Sequence, residues 1–390
     1  MVDDLMRDFG VSAAALGNLS AFYFYAYAMV QLPVGVMVDR WGPRRILTMG
    51  LVFAAVGGLL FARAEQIDTA YLGRFMVGAG VGFGFVCSLK LAANWFSPTR
   101  FAMLSGMTMM FGMVGGIAGQ APLSAAVEVF GWRSAMSVTA GFGLLLTASI
   151  WLIVRDHPSR IEDGSAPPLH SDAVLHGLKK ATRVRQTWVL AAIGFSMSAA
   201  LLAFGALWSV PYLVQAYGLS GTQAAASASL MLIGWAVGAP AVGWLSDHLK
   251  RRKPPLMITA TAALVSIFFL IYVPSLPLPV VEILFFVNGI ACGGTVLCFA
   301  VVREVNDSDA GGTATALVNT AVIISGALFQ PAIGWLLDRN WDGAMEMGAR
   351  IYSVETYQTA LLTLPFCAAI AVVLSFLVRE TYCEPVKSAN

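Results

Sequence analysis

Eleven stretches of this chain are each long and apolar enough to cross a bilayer as a helix, and no other feature narrows its fold so far. A hydrocarbon core of ~30 Å takes roughly 20 apolar residues in helical form, because inside lipid every backbone N–H and C=O must be bonded within its own segment. The stretches are 12–37, 46–62, 69–93, 101–124, 133–154, 188–214, 222–246, 255–274, 277–302, 311–337 and 356–378. Hydrophobic residues make up 58% of the 390, and Asp, Glu, Lys and Arg only 12%, about half the charged share of a soluble domain. A soluble core of this size has too little interior to hide that much apolar surface. The expected fold class is an all-α integral membrane protein.

Connections between the stretches are short except at 155–187, which mixes Pro, Ser, His and charge and reads as a polar linker. It separates a five-span bundle (1–154) from a six-span bundle (188–379), and 380–390 is a tail. One set of loops, together with linker and tail, holds seventeen of the 24 Lys and Arg; the opposite set holds six, Arg7, Arg63, Arg74, Arg133, Arg339 and Arg350. The basic excess marks the cytoplasmic side. The N-terminus then lies outside and the C-terminus inside, in a bacterial inner membrane.

Charge is concentrated in "PVGVMVDRWGPRR", Pro33 to Arg45, where Gly35-x-x-x-Asp39 is followed by Arg40, Arg44 and Arg45. The pattern returns 208 residues on as Gly243-x-x-x-Asp247, followed by Lys250, Arg251, Arg252 and Lys253. A third copy, Gly334-x-x-x-Asp338, has no basic run and falls on the outer side, and is set aside as coincidence. Repeats of this kind at matching topological positions indicate two like halves.

These loops, "GVMVDRWGPRR" and "GWLSDHLKRRK", resemble the signature of the major facilitator superfamily between its second and third helices and the degenerate copy between its eighth and ninth. "RFMVGAG", Arg74 through Gly80, is similar to the family's fourth-helix signature, and Gly112, Gly115, Gly116 and Gly119 to its glycine-rich fifth helix. The resemblance covers essentially the whole chain and implies two bundles of six helices. Here the first bundle has five, 12–37 matches the family's second helix, and "MVDDLMRDFGVS" the outer loop before it. Repeat symmetry favours a first helix lost to a start placed too late; a natural eleven-span chain is the alternative.

Asp39 ends a helix at the membrane surface beside three arginines, where a carboxylate can pair with them and with a positive helix N-terminus. The resemblance implies the helix beginning near Gly311 as that partner, and by symmetry Asp247 faces Arg100. Such contacts form and break as the cytoplasmic side shuts and opens, so Asp39, Arg40, Arg44, Arg45, Arg100, Asp247 and Arg251 are the candidate gating residues. The alternative for the arginines is that they only fix topology.

Tyr23, Tyr27 and Gln31 recur at i, i+4, i+8 as a polar stripe, which costs energy in lipid unless it faces a cavity or another helix. Arg74 and Lys90 are the cations within spans, and favour a carboxylate- or phosphate-bearing substrate unless they reach to the interface. Gln120, Asn288, Asn319 and Gln330 complete the candidate substrate contacts. Trp208 and Tyr212 are expected in an interfacial aromatic belt, and Glu282 as a helix-start cap. The glycine rows at 112–119 and at Gly234 and Gly238 are expected to be tight helix contacts; Pro33, Pro122, Pro240 and Pro331 lie within spans.

Four of the five cysteines lie in apolar runs and no ligand spacing of Cys or His occurs, so neither metal nor cofactor is expected. A net charge of +2 gives no sign of nucleic acid as a partner. No GxxxxGK[ST] loop is present for ATP, and no acid and histidine cluster for an enzyme. The expected function is secondary or facilitative transport, as symporter or uniporter and as a monomer, of a small organic anion. Scarce acids within spans favour facilitated diffusion, anion exchange, or a coupling residue on the absent helix. An amphipathic-drug exporter and a transporter-like sensor are the competing readings; the first would carry a cavity carboxylate, the second a larger cytoplasmic surface.

Overall fold

Helices meet the backbone requirement almost everywhere in the computed structural model of the chain, which describes residues 1–31, 33–96, 98–156, 179–273, 275–307, 310–346 and 348–384. In order they are α1 (Val2–Phe9), α2 (Ala13–Gln31), α3 (Val34–Trp41), α4 (Pro43–Ala62), α5 (Ile67–Val81), α6 (Gly84–Trp95), α7 (Pro98–Ala118), α8 (Ala121–Phe130) and α9 (Trp132–Ile153). After the linker come α10 (Arg185–Ala199), a π-helical segment (Ala200–Trp208), α11 (Ser209–Tyr217), α12 (Gly221–Leu249), α13 (Lys253–Tyr272), α14 (Leu278–Gly293) and α15 (Val296–Glu304). The chain continues with α16 (Gly311–Arg339), α17 (Val354–Leu361) and α18 (Thr363–Ser375). Two short strands, β1 (Met345–Glu346) and β2 (Ala349–Arg350), pair antiparallel between α16 and α17.

Among the described residues, 10 helical stretches are long and apolar enough to span a membrane. The eleventh expected stretch, 12–37, is helical too but divides: α2 carries Asn18 and three tyrosines, and α3 restarts at Val34 with Pro33 as its N-cap. Proline supplies no N–H, so a helix restarts there without losing a bond. The stretch expected at 101–124 is redrawn: α7 ends at Ala118, Gly119 and Gln120 turn, and the apolar span is Met110–Phe130. On α9 the side chains of Val138, Phe142, Leu145 and Leu152 are exposed, as lipid-facing positions of a span are.

The chain divides into two units. The first holds Leu19–Gly116 and α9; α4 packs on α5 and α9, over a core of Val34, Val38, Ile46, Leu47 and Cys87. The second holds Val2–Asn18, Ile117–Ser124 and the described residues from 179 onward. In it α12 packs on α14, α10 on α16 and α13 on α18, around Leu190, Ile193, Met197, Leu256 and Val318.

Glycine sets how closely the α12–α14 pair approaches. A Cβ at Gly234 would fall on the Phe286 carbonyl, and one at Gly289 on the Met231 carbonyl, as the sequence spacing leads one to expect. Gly112 and Gly115 on α7 have the same spacing and meet no described heavy atom within 4 Å. Spacing makes a smooth strip on a helix; it does not lay a second helix on it.

Candidate functional site

In the first unit, Arg74 is placed by a glycine one turn further along α5. Gly78 lies against the backbone of Tyr23, where a Cβ would overlap the Tyr23 carbonyl. That approach sets the Arg74 guanidinium 5.5 Å from the centre of the Tyr23 ring. The Tyr23 and Tyr27 rings follow in a stack with centres 6.1 Å apart, and Gln31 hydrogen-bonds to Tyr27. The expected stripe is therefore one connected row headed by a cation. Arg74 is half-buried and forms no ion pair with a described residue. A ring face returns about 0.5–2 kcal/mol to a cation, less than the several kcal/mol that burying a charge costs.

In the second unit the helix from Arg185 to Tyr217 widens to a π-helix at Ala200–Trp208, an irregularity that tends to mark functional positions. Two of its carbonyls accept hydrogen bonds from side chains outside the segment. Gln330 Nε2 donates to Leu202 O (2.7 Å) and Gln120 Nε2 to Gly205 O (3.2 Å). Trp208 Nε1 donates to Gln330 O (3.0 Å). Two of the expected substrate contacts, Gln120 and Gln330, thus meet on one segment. Gln330 is 1% exposed, and its Oε1 has no hydrogen-bond partner among the described residues. A buried acceptor left unpaired costs about 1–3 kcal/mol, so such positions call for a polar occupant. Trp208 also lines a cavity of ≈ 210 Å³ shared with Arg7, Gln215, Glu346, Arg350 and Tyr352. Trp208 and Tyr212 are buried, the latter's hydroxyl donating to Leu270 O and Ile271 O. The belt expectation is corrected: both rings face inward.

Other expected contacts are spent on structure. Asn288 is fully buried and donates to Ser266 Oγ (2.9 Å) and Ala263 O (3.2 Å), joining α14 to α13. Glu282 accepts from Ser227 Oγ (3.0 Å) and so joins α14 to α12, where a helix-start cap was expected. Asn319 and Lys90 are half-buried on α16 and α6.

The basic loops are tied down by acids that the sequence reading missed. In the first unit Asp156 accepts from Arg44 N (2.7 Å), while the Arg44 guanidinium donates to Trp151 O (2.5 Å) and lies 4.2 Å from the Trp151 ring centre. Gly42 there has φ +81°, and a Cβ would stand 2.8 Å from the Asp156 carboxylate; glycine alone suits both conditions. Arg40 and Arg45 are exposed. The side chains of Asp39 and Arg100, and linker residues 157–178, lie outside the described residues.

In the second unit Arg252 is the engaged arginine. It bonds Asp247 Oδ1 (2.6 Å), Glu304 Oε1 (2.7 Å) and Ser246 Oγ (3.1 Å), whereas Arg251 is exposed. Glu380 accepts from the backbone N–H of Arg252 (2.8 Å) and Lys253 (3.1 Å), capping α13. Burial pushes its pKa up, but these and the neighbouring N–H groups outweigh it and hold the carboxyl below its usual range. The missed signal is a tripeptide: Val154-Arg155-Asp156 and Val378-Arg379-Glu380 each follow the last helix of a unit.

The family model described as Major Facilitator Superfamily matches residues 1–329. A protein of Cupriavidus necator named as a probable sulfoacetate transporter is 25% identical over 67% of this chain, which spans 62% of that protein's length. The glycerol-3-phosphate transporter of Bacillus subtilis is 25% identical over 88% of this chain and 82% of its own. A probable L-galactonate transporter of Escherichia coli is 23% identical over 98% of this chain and 85% of its own. Among solved structures, a bacterial homologue of the human lysosomal transporter Spinster, inward-facing and unoccupied, superposes with a TM-score of 0.77 at 17% identity, over 96% of this chain and 92% of that one. A D-xylose–proton symporter gives 0.75 at 16% identity, over 99% and 94%.

Proposed function

The chain belongs to the major facilitator superfamily and is a multi-pass membrane transporter of that type, and on that premise we propose that its solute is a small organic anion moved by alternating access. The observation that carries the reading is Arg74, a cation within a span, headed onto Tyr23 and without a described carboxylate to balance it. A solute carboxylate, sulfonate or phosphate supplies that charge. Within the second unit, and taken by themselves, Gln120 and Gln330 are amides of the kind that bind hydroxyls, and Gln330 Oε1 has no partner among the described residues. The solutes in the names of the relatives, sulfoacetate, glycerol 3-phosphate and galactonate, are all of this class. Glu282 is held by Ser227, which favours facilitated diffusion or anion exchange over proton coupling. The basic loops set the C-terminus in the cytoplasm of a bacterial cell, and the carrier works as a monomer.

Thermal unfolding of the purified protein in detergent, with and without millimolar sulfoacetate, glycerol 3-phosphate or galactonate, tests the reading. A ligand at 100 times its Kd stabilises the folded state by about 2.7 kcal/mol, a rise of several degrees in Tm. Arg74→Gln is expected to abolish that rise while leaving the ligand-free Tm within a few degrees. Equal rises in parent and variant, or rises with uncharged analogues alone, would overturn the anionic reading.

A further inference from the structure

The third Gly-x-x-x-Asp copy, put down to coincidence in the sequence, is put to use in the fold. At the end of α16, the Asp338 carboxylate accepts from Ala14 N (2.8 Å) and Ala13 N (3.2 Å), the first amides of α2. It also accepts from Tyr352 Oη (2.6 Å) and Arg350 Nη1 (3.1 Å). Gly334, one turn earlier, lies where a Cβ would overlap the Ala13 carbonyl, and Gly17 where a Cβ would overlap the Gln330 carbonyl. The start of α2 therefore runs down α16 on two glycine contacts, one turn apart on each helix, with a carboxylate capping its N-terminus.

We propose that Asp338, with Gly334, is a gating element of the carrier: a releasable clasp on the first turn of α2, on the side of the membrane opposite the basic loops. The proposal rests on the carrier reading above. Three observations favour a clasp over a permanent cap. First, residues Val2–Asn18 group with the second unit, while α2 from Leu19 onward groups with the first; the clasp grips the last turns before that division. Second, release strands no charge. When the two amides leave, Arg350 and Tyr352, which belong to the second unit as Asp338 does, stay on the carboxylate, and the freed amides pass to water. A buried acid that lost its only partners would instead cost several kcal/mol. Third, glycine against backbone carbonyl has no interlocked side chains to withdraw, so the surfaces part and rejoin in one register.

The sequence relation supports this. Gly35-x-x-x-Asp39 falls on α3, just past the far end of α2, and Gly334-x-x-x-Asp338 reaches the near end. In place of a basic run, the third copy has Arg350, delivered from β2 of the short ribbon. Arg350 and Tyr352 also line the ≈ 210 Å³ cavity to which Trp208 contributes, so two partners of Asp338 face that cavity.

Two experiments test the clasp. The first is cross-linking in proteoliposomes: Ala14→Cys with Asp338→Cys, oxidised to a disulfide verified by mass, against the same protein reduced, with radiolabelled sulfoacetate and glycerol 3-phosphate as probes. A contact that must open predicts at least a tenfold fall in uptake on oxidation and recovery on reduction. Equal uptake in the two states would overturn the proposal. The second needs no solute: Leu16→Cys, buried at 2% exposure, labelled with a membrane-impermeant maleimide in a Cys383→Ser background. Asp338→Asn is expected to label several-fold faster than the parent, and Tyr352→Phe at an intermediate rate. If both variants run as single species yet label at the parent rate, no clasp exists; Tyr352→Phe decides alone should Asp338→Asn not fold. Absence of uptake by the parent protein counts against the carrier reading, and the labelling result then judges the clasp by itself.

Discussion

Arg251 and Arg252 are adjacent in a run of four basic residues, and nothing in their identity separates them. In the fold Arg252 is 8% exposed and shares its guanidinium among Asp247, Glu304 and Ser246, while Arg251 faces solvent. Glu304 is itself nearly enclosed, its side chain 12% exposed, so removing Arg252 leaves its carboxylate with the Thr381 hydroxyl as a donor and no described cation, at a cost of about 3–5 kcal/mol. Thermal unfolding in detergent is expected to show Arg252→Ala strongly destabilised and Arg251→Ala within about 0.5 kcal/mol of the parent. Equal effects would contradict this assignment. The sequence reading chose Arg251 because charge runs mark loops without marking which side chain turns inward. The same limit applies to Gln330 and Asn288, both mid-span amides: one keeps an unpaired oxygen beside the π-helical segment, the other is consumed between α13 and α14. Arg74 and the Tyr23–Tyr27–Gln31 row were legible, because an isolated cation or a polar stripe in an apolar helix must face something.

Whole helices were the most legible level, since lipid imposes a length of about 20 apolar residues on each. From 46–62 onward the expected segments and the observed spans largely coincide, 101–124 being the main exception. What the spacing could not show was local departure from regular helix. The π-helical widening at Ala200–Trp208 has the composition of any apolar span, and the ribbon Met345–Arg350 is too short to show a period. Glycine rows divide in the same way. On α12 an added methyl at Gly234 lands on the Phe286 carbonyl, so Gly234→Ala is expected to lower stability by about 1–3 kcal/mol as the helices are forced apart. Gly112→Ala on α7 meets no described atom within 4 Å and gains helix propensity, up to ~1 kcal/mol. Paired thermal melts check the contrast; a neutral Gly234→Ala would mean that the close approach of α12 and α14 is absent in the membrane protein.

For the molecule as a whole, repetition in sequence led to the right family because it is enforced physically. Each unit must tie its basic loop to its own last helix, and each does so with an acid two residues after a Val: Asp156 in one, Glu380 in the other. The division of the chain itself was less visible, since residues 2–18 and 117–124 group with the second unit through contacts that no linker announces. A carrier whose cation within a span, Arg74, has no described carboxylate to balance it must select for negative charge. Solute counterflow in proteoliposomes of the purified chain tests this most directly, with radiolabelled sulfoacetate, glycerol 3-phosphate and galactonate set against an uncharged polyol, in parent and Arg74→Gln. Saturable exchange of at least one anion, none of the polyol, and at least a tenfold loss of anion exchange in Arg74→Gln are expected. Saturable exchange of the polyol, or anion exchange that survives Arg74→Gln unchanged, would contradict this selectivity.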